Sequence, residues 1–119
     1  MKDNFTELEF LTTLSFEKSY KRLKKKYVSL ANDLKNFKSS FSENPQLGTD
    51  LGGGFRKVRI SIQSKNKGKS GGARIITYDM CFRQIKNIIV LIDIYDKSKK
   101  ETVTENEYTA ILKQFLENK

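Results

Sequence analysis

The residues best suited to chemistry in this chain are cations. Lys57 and Arg59 stand two apart in Phe55 to Gln63, where Val58, Ile60 and Ile62 alternate with Lys57, Arg59, Ser61 and Gln63. That is the two-residue period of a half-buried strand, so both cations share a face, about 7 Å apart, and can grip one phosphate. Arg74 opens the next apolar stretch. Between them, Ser64 to Gly72 (SKNKGKSGG) has no apolar residue and carries Lys65, Lys67 and Lys69, a flexible turn with reach toward a phosphate backbone. Like charges set side by side repel, so a fold gathers them chiefly where an anion is bound. Tyr95 and Lys97 follow at the end of an apolar run, where an exposed aromatic beside cations suits base stacking.

Other chemistries are excluded by what the chain lacks. It has no histidine and one cysteine, Cys81, so the usual zinc and iron ligand sets and an intramolecular disulfide cannot be assembled. Asp93 and Asp96 are too few for a metal cluster, and no cofactor is expected. Gly68-Lys69-Ser70 resembles the end of a nucleotide-binding phosphate loop, but the position five before Gly68 is Gln63, and Gly71, Gly72 and a strand follow where a helix is required.

The elements that must position these cations are legible in the periodicity. Phe10 to Leu14 reads as a first strand. With Ser15 as cap, Phe16, Tyr20, Leu23 and Tyr27 then lay an apolar stripe along a basic helix, and with Ser29 as cap, Leu30, Leu34, Phe37 and Phe41 do the same along a second that ends before Asn44-Pro45. Asn44 to Gly54, with the only proline and four of the seven glycines, reads as a loop. Strands are predicted over Phe55 to Gln63, Ala73 to Met80 and Asn87 to Tyr95. The last (NIIVLIDIY) is apolar on both faces, as a central strand is. Thr104 to Glu107 matches a capping box ahead of a stripe of Tyr108, Ile111, Leu112, Phe115 and Leu116. The order β-α-α-β-β-β-α predicts an α+β fold: a small twisted antiparallel sheet, with two N-terminal helices packed on one face and a C-terminal helix. Burying all three stripes on one face is the simplest arrangement. Strict alternation puts Arg74 on the same face as Ile76, Tyr78 and Met80, which implies a bulge or a partly apolar exposed face, and puts Tyr95 opposite Ile92 and Ile94.

The chain's 119 residues make a single domain over 1–119, with enough apolar matter, 37%, for one core. The formal charge of +9 is concentrated in residues 18–40, at +7, and 55–86, at +8. Clustered charge points to a polyanion. The first block, KSYKRLKKK, reads equally as a solvated helix face. No run approaches the roughly 20 apolar residues of a membrane span, and no basic segment has the apolar face of a membrane anchor, so a cytoplasmic, nucleic-acid-binding protein is expected.

FEKSYKRLKKKYVSLANDL, NPQLGTDLGGGFRKVRISI, SKNKGKSGGARIITY and IVLIDIYDKSKKETVTENE together resemble the RelE/ParE toxins of bacterial type II toxin–antitoxin systems, SGGARIITY and IYDKS most specifically. The resemblance spans nearly the whole chain and points to the RelE-like branch. It implies a twisted antiparallel sheet with two N-terminal helices, an antitoxin protein that wraps the toxin, and metal-independent cleavage of messenger RNA on the ribosome, which inhibits translation. By position, Lys57 and Arg59 match the basic pair after the helices, Arg74 the arginine of the next strand, and Lys97 a position where many relatives carry arginine. The tyrosine that several relatives place just after that basic residue has no counterpart. Metal-free cleavage needs proton removal from a 2′-hydroxyl, charge stabilisation at phosphorus and protonation of the leaving oxygen. On this reading Lys57 is the base, Arg59 and Arg74 clamp the phosphate, Lys97 is proton donor or third clamp, and Tyr95 stacks or orients. The ParE-like alternative, inhibition of DNA gyrase without cutting, and a plain RNA-binding module stay open on the same residues.

Overall fold

Two strands that are apolar on both faces organise the molecule. The computed structural model describes residues 8–65, 71–99 and 102–118. In chain order the elements are β1 (Glu9–Thr12), α1 (Leu14–Lys26), α2 (Leu30–Glu43), β2 (Thr49–Gly52), β3 (Phe55–Ile60), β4 (Ala73–Asp79), β5 (Ile88–Asp96) and α3 (Glu105–Glu117). Short 3-10 turns cover Gln63–Lys65 and Met80–Arg83. The sheet order is β1-β5-β4-β3-β2. It is mixed, because β1 runs parallel to β5 while the other pairs are antiparallel.

On one face, Phe16 and Leu23 of α1 and Leu30, Phe37 and Phe41 of α2 pack on Val58, Ile60, Ile75, Ile89, Leu91 and Ile94. These are the predicted stripes. Thr13, not Ser15, caps α1: its hydroxyl oxygen accepts from Phe16 N at 3.0 Å and donates to Ile92 O at 2.7 Å, tying the helix start to the sheet. Ser29 occupies the cap position of α2 with its hydroxyl turned to Asp33, 2.7 Å away.

The third stripe is buried on the opposite face. Tyr108 and Leu112 of α3 join Phe55, Ile76, Tyr78, Val90 and Ile92. One-sided packing fails because β4 and β5 are apolar on both sides, and a bare second face would leave Ile76, Tyr78, Val90 and Ile92 in water. The Thr104–Glu107 capping box forms as predicted and fixes where α3 begins.

Asn44 to Gly54 is more than a loop. It contains β2, which pairs Thr49 with Lys57 and Asp50 with Arg56. This strand was illegible because its pairing is made by backbone, and its residues (TDLG) show no apolar alternation. No helix among the described residues is long and apolar enough to cross a membrane.

Candidate nucleic-acid interface

Strand register brings three of the candidate residues into one row. Across the β3–β4 ladder Arg59 lies directly opposite Arg74, and across β4–β5 Arg74 lies directly opposite Tyr95. Directly opposed side chains have Cβ atoms about 5 Å apart. Lys57, opposite Ile76, is two residues along from Arg59 and so shares its face. This is the α3 side of the sheet. Tyr108 and Leu112 cover Phe55, Ile76 and Tyr78 of that face, and the cationic row lies where β4 begins and β5 ends.

No bulge interrupts β3–β4, so Arg74 does share a face with Ile76 and Tyr78, as strict alternation required. The bulge is in β5 instead. Ile76 pairs with Asp93 and Thr77 with Leu91, which leaves Ile92 as the extra residue and reverses the alternation after it. Tyr95 therefore joins Ile92 in one cluster while Ile94 faces the other, which corrects the expected placement of Tyr95 opposite both.

Exposure divides the row. Arg59 is exposed and Lys57 half-buried, whereas Arg74 is 5% and Tyr95 6% exposed. A ring so deeply buried has no face to offer a base, so stacking is corrected to packing: Tyr95 lies against Arg74 across the ladder. Arg74 donates from Nη1 to Ala73 O at 3.2 Å. Burial, and then the neighbouring Arg59 charge, lower the Arg74 pKa, while Tyr95 acts in the opposite sense. Of the two opposed arginines only Arg59 stands exposed to an oxyanion, with the Arg74 charge buried behind it. Among the described residues, no ion pair or hydrogen bond engages the side chains of Lys57, Arg59 or Lys97. The Lys97 N–H donates to Gly72 O at 3.1 Å, which holds Lys97 in the turn after β5, two residues past Tyr95.

Lys65 is elsewhere. Its ammonium lies 2.7 Å from Asp96 Oδ1 and 5.4 Å from the centre of the Tyr27 ring, with its side chain only 7% exposed. Asp96 also accepts from the Tyr27 hydroxyl at 2.6 Å and from Ser98 Oγ at 2.7 Å. Buried in this way, Lys65 clamps the Gln63–Lys65 turn to α1 and β5, and the expected contact of Lys65 with RNA is corrected to an internal ion pair. Burial alone would raise the Asp96 pKa, but the hydrogen bonds from Lys65, Tyr27 and Ser98 outweigh it and hold the carboxyl well below the ordinary range. Sequence reading missed Asp96 as a hub, and the one available signal was an acid ending an otherwise apolar strand. Lys67 and Lys69 lie outside the described residues.

A scan against models of known protein families finds no match for this chain.

Proposed function

We propose that the chain is a RelE-like toxin, a metal-independent endoribonuclease that cuts messenger RNA held on the ribosome and is neutralised by an antitoxin protein. The observation that carries this reading is the direct opposition of Arg59 and Arg74, with Lys57 on the same face. The resemblance of SGGARIITY and IYDKS to that family supports it.

In the proposed reaction Lys57 takes the proton of the 2′-hydroxyl and O2′ bonds to the adjacent phosphorus. The bond from phosphorus to O5′ breaks, and O5′ receives a proton from Lys97, leaving a 2′,3′-cyclic phosphate and a 5′-hydroxyl. Arg59, exposed, holds the phosphoryl oxygens as charge builds on them, and the buried Arg74 adds its charge from behind. Tyr95 keeps Arg74 in place, which retains its orienting role without stacking. Cationic clamps act mainly by positioning, so orientation of the message by the ribosome contributes much of the rate.

The reading is tested by inducing the chain in bacterial cells and mapping RNA 5′ ends. New ends within translated codons are expected with the native chain. Lys57→Ala and Arg59→Ala are expected to abolish both these ends and growth arrest while keeping the fold, because neither side chain is buried. Undiminished arrest in both variants, or arrest with DNA damage and no new RNA ends, overturns it.

A further inference from the structure

The outer face of α1 carries charge that the sheet face does not use. At 100° per residue, Lys18, Lys21, Arg22 and Lys25 fall within an arc of about 100° directly opposite the stripe of Phe16, Tyr20, Leu23 and Tyr27. All four are exposed, and Lys24 and Lys26 flank them. The helix's one acid, Glu17, accepts a hydrogen bond from the Thr12 hydroxyl. Among the described residues no ion pair engages any of the six cations. Attraction to the helix C-terminus accounts for Lys24, Lys25 and Lys26, all in the last turn. It does not account for Lys18, Lys21 and Arg22, which repel one another at three- and four-residue spacing. Around the end of the helix, Arg22, Lys26 and Lys99 rim a depression of about 300 Å³. Desolvation, and then the neighbouring Lys99, lower the Lys26 pKa.

What this face lacks narrows its ligand. Tyr20 stacks on Phe16 with centroids 5.9 Å apart, and the Lys26 and Lys65 ammonium groups lie over the Tyr27 ring, each 5.4 Å from its centroid, so neither ring is offered to an unpaired base. The exposed apolar residues at its ends, Leu14 and Val28, form no apolar flank of the kind a membrane anchor needs. An exposed row of cations without stacking rings suits a phosphate backbone, and a duplex offers backbone at its highest charge density with its bases already paired.

We propose that the outer face of α1, continued by Lys99, docks on the phosphate backbone of duplex RNA. It lies on the other side of the sheet from Arg59 and Arg74. The proposal goes beyond the nuclease reading and does not require it. If both hold, α1 grips structured RNA while the sheet face takes the single-stranded message.

The test measures binding of the purified full chain to a fluorescent RNA duplex of random sequence across a salt series. Replacing Lys18, Lys21, Arg22 and Lys25 with Gln is expected to make the slope of log K against log salt shallower by about three to four units, with affinity at low salt falling at least about tenfold. Replacing Lys35, Arg83, Lys86 and Lys113, all exposed and off both cationic faces, with Gln is expected to leave the slope within about one unit of the native value. Circular dichroism checks that α1 persists, and if the fourfold variant unfolds, K18Q combined with K25Q is expected to reduce the slope by about two units. An unchanged slope, or an equal loss in the Lys35, Arg83, Lys86 and Lys113 variant, overturns the proposal. So does an equal or larger loss for the fourfold α1 variant on a single strand of equal length, or tighter binding of the native chain to phosphatidylserine vesicles. Absence of cut messenger RNA in cells would sink the nuclease reading alone and leave this measurement untouched.

Discussion

Asp96 shows how a single residue reassigns its neighbours. Its carboxylate takes the Lys65 ammonium and the Tyr27 hydroxyl at once, so two groups that look like surface chemistry become structure. The Tyr27 phenol is pushed up to about 12, first by its hydrogen bond to Asp96, then by burial and by the Asp96 charge. A phenol held neutral by the fold contributes stability in full below about pH 10, and loses it as pH rises toward about 12. The depressed Asp96 carboxyl works at the other end: its contribution is complete above about pH 4 and drains as pH falls below that. Asp96→Asn leaves the buried Lys65 charge unmatched and is expected to cost about 3 kcal/mol in denaturant melts. In the same variant an ultraviolet titration is expected to show the Tyr27 phenol moving down toward ordinary tyrosine values. An unshifted phenol would mean that the hydrogen bond does not set it.

Among the elements, the junction of β3 and β4 decides the site. Arg59 and Arg74 face each other only because these strands pair without a bulge from Ile60 and Ala73 onward, and Gly72 sits at the start of that ladder. A Cβ at Gly72 would lie 2.1 Å from Ile60 O, so the backbones approach as only glycine allows. Gly72→Ala is expected to destabilise the fold by about 1 to 3 kcal/mol and to pry the two arginines out of register. The measurement is a melt together with RNA binding at the sheet face: a loss of binding larger than in Lys57→Ala, with α1 and α2 intact by circular dichroism, is the expected pattern. The end of β3 was readable as alternation in FRKVRISI. The β5 bulge was not, since NIIVLIDIY is apolar on both sides and carries no parity to betray an extra residue.

For the molecule as a whole, two opposite surfaces carry clustered cations among the described residues, the outer face of α1 and the Lys57–Arg59 face of the sheet. A field of that kind speeds encounter with a polyanion and is screened beyond about 10 Å at 0.1 M salt. On the proposed nuclease reading, association with ribosomes, followed by stopped-flow light scattering, is expected to slow at least about tenfold between 50 and 200 mM salt. A rate insensitive to salt would show that neither surface steers the encounter. Two-sided packing is also a property of this scale. Three apolar stripes are visible along the chain, but which side of the sheet each covers depends on the summed apolar area of β4 and β5.

The amino-acid sequence alone determined the α+β class, both N-terminal helices, the α3 capping box, and the shared face of Lys57 and Arg59. All of these rest on periodicities and caps that span a few residues. Only the tertiary structure decided that β1 runs parallel beside β5, that α3 crosses to the far face, and that Arg74 and Tyr95 are buried while Arg59 stays exposed. It also turned Lys65 inward, to a carboxylate 31 residues away. The reason is physical: a repeat of two or of 3.6 residues fixes which way a side chain points from its own element, whereas its partner is chosen by strands that meet only after the chain has closed on itself.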